Sequence, residues 1–179
     1  MTKEDILREA RNIIRDEGYD ALTLSSLAGK LNVKKASLYY HYSSKDAIIA
    51  ALYEDFSLRL RHLGFSLDFS LPALEVLKIT FEHYRKIYES KEISGYFSLI
   101  RQRKDIDEEA FEINNSLLLM IEAQTSAVIE NLIERGELHF KNKKLPSDLF
   151  ASALIVRLEG ERQKEDDGTF LEEFCRCFQ

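Results

Sequence analysis

Apolar residues recur at three- and four-residue spacing through almost the whole chain and never alternate with period two. That pattern predicts helices and no sheet. Ile6, Leu7, Ala10, Ile13 and Ile14 lie on one face of a first helix, which opens at a Thr2–Asp5 pair resembling a capping box and stops at Gly18. A short second helix starts after Thr23, a good N-cap, and buries Leu24, Leu27, Ala28 and Leu31. Asn32 tolerates positive φ and turns the chain. A third helix is expected from about Lys35 to Tyr42. A fourth is capped by Ser43 or Ser44 and is apolar at Ile48, Ile49, Leu52, Phe56, Leu60 and Leu63.

The rest of the chain continues the same period. Residues 64–71 form a connector that is unusually apolar (Phe65, Leu67, Phe69), predicting that it packs down or meets another chain. Pro72 suits the first turn of a fifth helix with a Leu74, Leu77, Phe81, Tyr84, Tyr88 stripe. Further helices are expected from about Ile93 to Lys104, Glu108 to Arg135 and Pro146 to Glu161. Thr169 and Glu172 resemble a capping box for a last helix reaching Phe178. About nine helices and no internal repeat make the expected fold all-α.

Composition sharpens this picture. Two prolines and seven glycines in 179 residues favour long helices. The net charge of -6 is uneven. Residues 1–48 hold eight Lys/Arg against seven Asp/Glu, whereas residues 49–179 hold 17 against 24. Residues 23–45 contain four lysines and no acid, where the chain's average of 31 acids in 179 residues would place about four. A polyanion can therefore approach the first region and is repelled by the remainder.

Other chemistries find no support in the sequence. Cys175 and Cys177 at i, i+2 point to different helix faces and read as free thiols of a reducing cytoplasm, and two such ligands are too few for structural zinc. His62, His83 and His139 have no metal-ligand spacing, so no metal or cofactor is expected. No nucleophile motif or glycine-rich phosphate loop is present, so no catalytic residue is assigned and the chain is read as a non-enzyme. Residues 2–17 are amphipathic and charged, unlike a leader, and apolar runs such as Leu117–Ile121 are too short to span a bilayer.

The segment from Thr23 to Lys45 resembles the N-terminal DNA-binding domain of the TetR family of bacterial transcriptional regulators. The resemblance rests on Thr23, Leu27-Ala28, Asn32-Val33, Ser37-Leu38-Tyr39, His41-Tyr42 and Ser44-Lys45-Asp46, and extends back over the first helix to cover about residues 3–50. It implies a three-helix helix-turn-helix domain, drawn here as residues 1–46, and a larger helical ligand-binding and dimerisation domain, residues 47–179. It also implies a homodimer on a double-stranded, palindromic operator, a small-molecule effector, and most often repression. Family members commonly carry Gly in place of Asn32 and Ser or Thr in place of Lys34, so the recognition helix lacks a side-chain cap here.

Recognition helices read base edges and grip phosphates with different side chains. Lys34, Lys35, Ser37 and Tyr39 are the candidates for the groove, since Lys donates to guanine O6 and N7 and Ser pairs with several bases. Tyr40, His41 and Lys45 match phosphate-contacting positions, Thr23 and Ser25 can touch the backbone, and Leu38 and Tyr42 are assigned to the core. For the effector pocket the candidates are Phe56, Phe81, Tyr84, Tyr88, Tyr96, Phe97, Met120 and Gln124, aromatics with a few polar handles. For the dimer interface they are Phe150, Leu154, Leu158, Phe170, Phe174 and Phe178 on the last two helices. An interaction or small-molecule-binding module with a vestigial DNA-binding domain is the alternative reading.

Overall fold

The computed structural model describes residues 1–139, 144–159 and 165–178, excluding the side chains of 144, 157–159, 165–166 and 178. The described residues form nine α-helices and no strand: α1 (Lys3–Glu17), α2 (Leu24–Lys30), α3 (Lys35–Tyr39), α4 (Lys45–Leu60), α5 (Ala73–Glu89), α6 (Ser94–Arg103), α7 (Glu108–Glu134), α8 (Lys144–Glu159) and α9 (Glu165–Phe178). A 3₁₀ turn, Tyr19–Ala21, follows α1. The helices divide between two compact units. The first comprises residues 1–64 and 89–116, and the second residues 65–88 and those from 117 onward.

Local chemistry sets the ends of the helices in the first unit. At the start of α1 the Asp5 N–H donates to Thr2 Oγ1 (3.1 Å) and the Thr2 N–H to Asp5 Oδ2 (2.8 Å), so the shorter Asp completes the box as Glu would. These bonds and the adjacent Arg8 hold the Asp5 carboxyl down at about 2. Thr23 and Ser26 cap α2 by the same reciprocal pairing. α2 ends in a Schellman motif: the Val33 N–H donates to the Ala28 carbonyl and the Asn32 N–H to that of Gly29, with Asn32 at φ 53°. Asn32 is thus the left-handed residue the sequence requires.

The core of this unit collects Ile6, Ala10, Ile13 and Ile14 of α1, Leu27 and Leu38 of the helix-turn-helix, and Ile48, Leu52, Tyr53 and Phe56 of α4. Against it lie Tyr96, Phe97, Leu99 and Ile100 of α6. α6 comes close to α1 because residue 95 is glycine. A Cβ there would stand 2.7 Å from the Arg11 carbonyl oxygen.

In the second unit, Gly136 (φ 72°) ends α7 in another Schellman motif. The chain then delivers Glu137, whose carboxylate accepts from the Ala73 N–H and caps α5 in place of a local side chain. Phe65 of the apolar connector stacks on His83 with ring centroids 4.1 Å apart, so this stretch does pack down. Four phenylalanines from α5, α8 and α9 meet inside this unit: Phe81 on Phe150 (6.1 Å), Phe150 on Phe174 (5.4 Å) and Phe170 on Phe174 (5.9 Å).

Three expectations change. α3 closes at Tyr39 rather than Tyr42, because Tyr42 turns into the core and Ser44 adopts an extended backbone to cap α4 through the Ala47 N–H. α9 opens at Glu165, with Thr169 inside it, and Asp167 of its first turn pairs with Arg85 at 3.5 Å. α7 is long and apolar enough to cross a membrane by length and composition alone, a test that core helices also pass. Its buried Ile121, Val128, Ile129 and Leu132 serve as core positions, and Glu122 and Glu130 are exposed.

Candidate nucleic-acid interface

α3 turns a single apolar side chain inward. Leu38 is fully buried, whereas Lys34, Lys35, Ala36, Ser37, Tyr39 and Tyr40 are exposed. Tyr40 is 88% exposed and Tyr39 51%, an unusual position for two aromatic side chains unless a partner covers them. His41 is half-buried and meets the Tyr40 ring edge-on at 5.3 Å. As expected, Tyr42 is core, with the Lys3 ammonium 5.5 Å from its ring centre. Lys34 occupies the N-cap of α3 without a side-chain bond, and the Ser37 N–H reaches its carbonyl at 2.8 Å.

The four lysines of the acid-free window are not equivalent. Glu17 of α1 pairs with Lys30 at 2.9 Å, so Lys30 is opposed from outside the window. Lys34 and Lys35 have no acidic partner among the described residues, and they carry the unopposed charge. The Lys45 ammonium donates to the Tyr19 carbonyl at 2.9 Å and lies 3.7 Å from the centre of the Tyr19 ring. Burial pushes its pKa down, Asp20 opposes that shift, and Arg103 reinforces it. Thr23 is exposed but its hydroxyl is engaged as the α2 cap, and Ser25 is exposed beside it.

Sequence reasoning missed Tyr19 altogether. Its N–H donates to Gln102 Oε1 at 2.8 Å and the Arg103 guanidinium lies 4.5 Å from its ring centre. Gln102 and Arg103 stand 83 and 84 positions away, so no local pattern could have paired them with Tyr19. Arg103 is anchored in turn by Asp107 at 3.2 Å. Burial acts to raise the Asp107 pKa, but hydrogen bonds from the Ala110 N–H, Arg103 and Tyr53 lower it overall.

A second polar network lies in the same unit. Arg11 Nη1 donates to the Tyr96 hydroxyl at 2.7 Å and to the Glu92 carbonyl at 3.1 Å. The Tyr96 hydroxyl donates to Asp55, which also accepts from Arg59. Burial pushes the Tyr96 pKa up and Asp55 adds to it, so the phenol remains a donor. Beside this network a groove of about 410 Å³ runs between α1 and α4, lined by Lys3, Glu4, Leu7, Arg11, Tyr42, Ala51, Glu54, Asp55, Leu58 and Arg59.

The expected pocket residues fall into two sets. Phe56, Tyr96 and Phe97 pack on one another in the first unit, with Phe56 stacked on Tyr96 at 4.9 Å, and none of them lines the groove. Phe81, Tyr84, Tyr88, Met120 and Gln124 belong to the second unit, where the Tyr84 hydroxyl donates to Gln124. Of the expected dimer stripe, Phe150, Leu154 and Phe174 are buried within their own unit and Phe170 joins the same aromatic cluster, which removes these rings from water. The side chains of Leu158 and Phe178 lie outside those described. What α8 leaves exposed is a different stripe: Leu145 (63%), Leu149 (46%) and Val156 (57%), with the small Ser152 between the last two.

A short capped helix, a left-handed turn and an exposed basic second helix make up a helix-turn-helix, the class of motif that can place one helix in a DNA groove. Residues 6–52 match the model of the bacterial regulatory proteins of the tetR family. Over this stretch, about a quarter of its length, the chain is similar to the N-terminal domain of that family. Over 73 residues it is 37% identical to the biofilm operon icaADBC HTH-type negative transcriptional regulator IcaR of Staphylococcus epidermidis, covering 37% of this chain and 40% of that protein. Over 46 residues it is 46% identical to the IcaR of Staphylococcus aureus strain Newman, covering 26% and 25%. The chain thus spans less than half the length of the curated relatives it matches. Solved structures share the fold along nearly its whole length. PfmR, a TetR family transcriptional regulator from Thermus thermophilus, superposes with TM-score 0.67 at 23% identity over 98% of this chain and 96% of its own. GusR from Salmonella enterica gives 0.66 at 18% identity over 98% and 92%.

Proposed function

We propose that the chain is a ligand-responsive, sequence-specific DNA-binding transcriptional regulator, acting in the cytoplasm as a homodimeric repressor on a palindromic operator. Residues 1–46 would bind DNA and residues 47–179 would dimerise and take the effector. The observation that carries this reading is the exposed set Lys34, Lys35, Ser37, Tyr39 and Tyr40 on one short helix and its caps, with no acidic side chain among the described residues paired to it. Lys34, Lys35, Ser37 and Tyr39 face the groove in this reading. Tyr40, His41, Lys45, Thr23 and Ser25 contact the sugar-phosphate backbone.

Two further observations support it. The IcaR proteins are named negative transcriptional regulators, which favours repression. The exposed Leu145, Leu149, Ser152 and Val156 recur at spacings of four, three and four. Three large apolar side chains and one small one at that spacing form the seam that a second copy's helix would cover. For the effector, Tyr84, Tyr88, Met120 and Gln124 of the second unit combine apolar bodies with hydrogen-bonding groups, which suits a largely apolar small molecule with a polar end. The reading assigns no catalytic role to any residue.

Fluorescence anisotropy with the DNA upstream of the chain's own gene, and with duplexes selected from a random pool, tests the proposal. With six or more phosphate contacts per dimer, affinity falls roughly 10³-fold or more between 50 and 200 mM salt. Specific binding above unrelated DNA with that salt dependence is the expected result. Flat salt dependence with no selected site would leave the module with a vestigial DNA-binding domain as the better description.

A further inference from the structure

Lys45 is held more firmly than a surface lysine needs to be. Its ammonium donates to the Tyr19 carbonyl at 2.9 Å and rests against the Tyr19 ring at 3.7 Å. Tyr19 is itself tethered from α6, by Gln102 Oε1 on its N–H (2.8 Å) and by Arg103 against its ring (4.5 Å). An ammonium has three N–H donors, and the Tyr19 carbonyl uses one. Ordering a free lysine on a ligand costs rotamer entropy, and a lysine already pinned by a ring and a carbonyl has met that cost in advance.

We propose that Tyr19 is a positioning residue for DNA binding: its ring and carbonyl hold the Lys45 ammonium ready for a backbone phosphate, with Gln102 and Arg103 of α6 setting Tyr19. The inference rests on the DNA-binding reading above and assigns the phosphate grip to four residues acting together rather than to Lys45 alone. It also gives α6 a direct hold on that grip, since any shift of Gln102 and Arg103 relative to the 3₁₀ turn moves the platform under Lys45.

The test is the salt dependence of binding to a duplex selected by the wild-type chain from a random pool, read alongside thermal unfolding. Lys45→Met is expected to reduce the slope of log K against log salt by about 0.9 per subunit, the loss of one phosphate contact. Tyr19→Leu is expected to reproduce most of that change and to weaken binding about three- to tenfold, whereas Tyr19→Phe keeps the ring and the wild-type slope. In a double-mutant cycle, Tyr19→Leu then adds little once Lys45 is Met. A general loss of stability would not move the slope. If Tyr19→Leu does not fold, Gln102→Ala at an exposed position removes the partner of the Tyr19 N–H and is expected to shift the slope in the same direction. A wild-type slope in Lys45→Met, or in whichever of Tyr19→Leu and Gln102→Ala folds, overturns the inference while leaving the regulator reading intact. Failure of the wild-type chain to select any duplex overturns the regulator reading itself.

Discussion

Arg11 Nη1 donates to the Tyr96 hydroxyl at 2.7 Å, joining α1 to α6 across 85 positions of sequence. The same hydroxyl donates onward to Asp55 of α4, so one phenol ties three helices of the unit that contains the helix-turn-helix. Arg11 is only 7% exposed, and its guanidinium also lies 4.6 Å from the Tyr96 ring centre. A charge so enclosed depends on its partners.

Tyr96→Phe removes the acceptor from Arg11 and the donor from Asp55 while preserving the stack on Phe56. The expected cost is about 1–3 kcal/mol, the range for leaving buried polar groups unpaired. Urea unfolding should show a lower midpoint with an unchanged slope. An unchanged midpoint would mean that the network contributes nothing net.

Gly95→Ala places a methyl group 2.7 Å from the Arg11 carbonyl oxygen and 2.9 Å from its Cβ. Because the nearest atom is backbone, α1 and α6 must separate to admit it. Overpacking of this kind costs about 1–3 kcal/mol. A fall in the thermal midpoint of roughly 2–4 °C per kcal/mol is the expected reading. A midpoint equal to that of the wild type would show that the two helices yield freely.

Asn32 sits at φ 53°, the only non-glycine with positive φ among the described residues. Asn32→Gly should be neutral within a few tenths of a kcal/mol, and Asn32→Ala should lose about 1–2 kcal/mol, the penalty for a Cβ in the left-handed region. Thermal unfolding of the pair checks the order. Equal stability of the two variants would contradict the strain argument.

Leu149→Asp puts a charge in the exposed α8 stripe and should convert a dimer into a folded monomer. With a charge buried at the centre of an interface, the dissociation constant is expected to rise roughly 100-fold or more. Sedimentation velocity distinguishes the species, and circular dichroism verifies that the monomer remains helical. A dimer unperturbed by this change would place the subunit contact elsewhere.

The sequence alone determined the helical period, the caps at Thr2 and Thr23, the left-handed turn at Asn32, and the acid-free basic stretch that marks the helix-turn-helix. Each of these is set within a few residues, where hydrogen-bond geometry and side-chain spacing act directly. Tertiary structure decided the rest. The pairing of Lys30 with Glu17, of Lys45 with Tyr19, and of Tyr19 with Gln102 depends on which helix ends meet, and no local pattern encodes that. The same holds for the phenylalanines of α8 and α9. Their helical spacing predicts a stripe, but only packing decides whether that stripe faces another chain or, as with Phe150 and Phe174, closes on Phe81 inside its own unit. Burial is a property of neighbours brought together by the whole fold, so an amphipathic pattern specifies that a face is covered and leaves its partner to the tertiary structure.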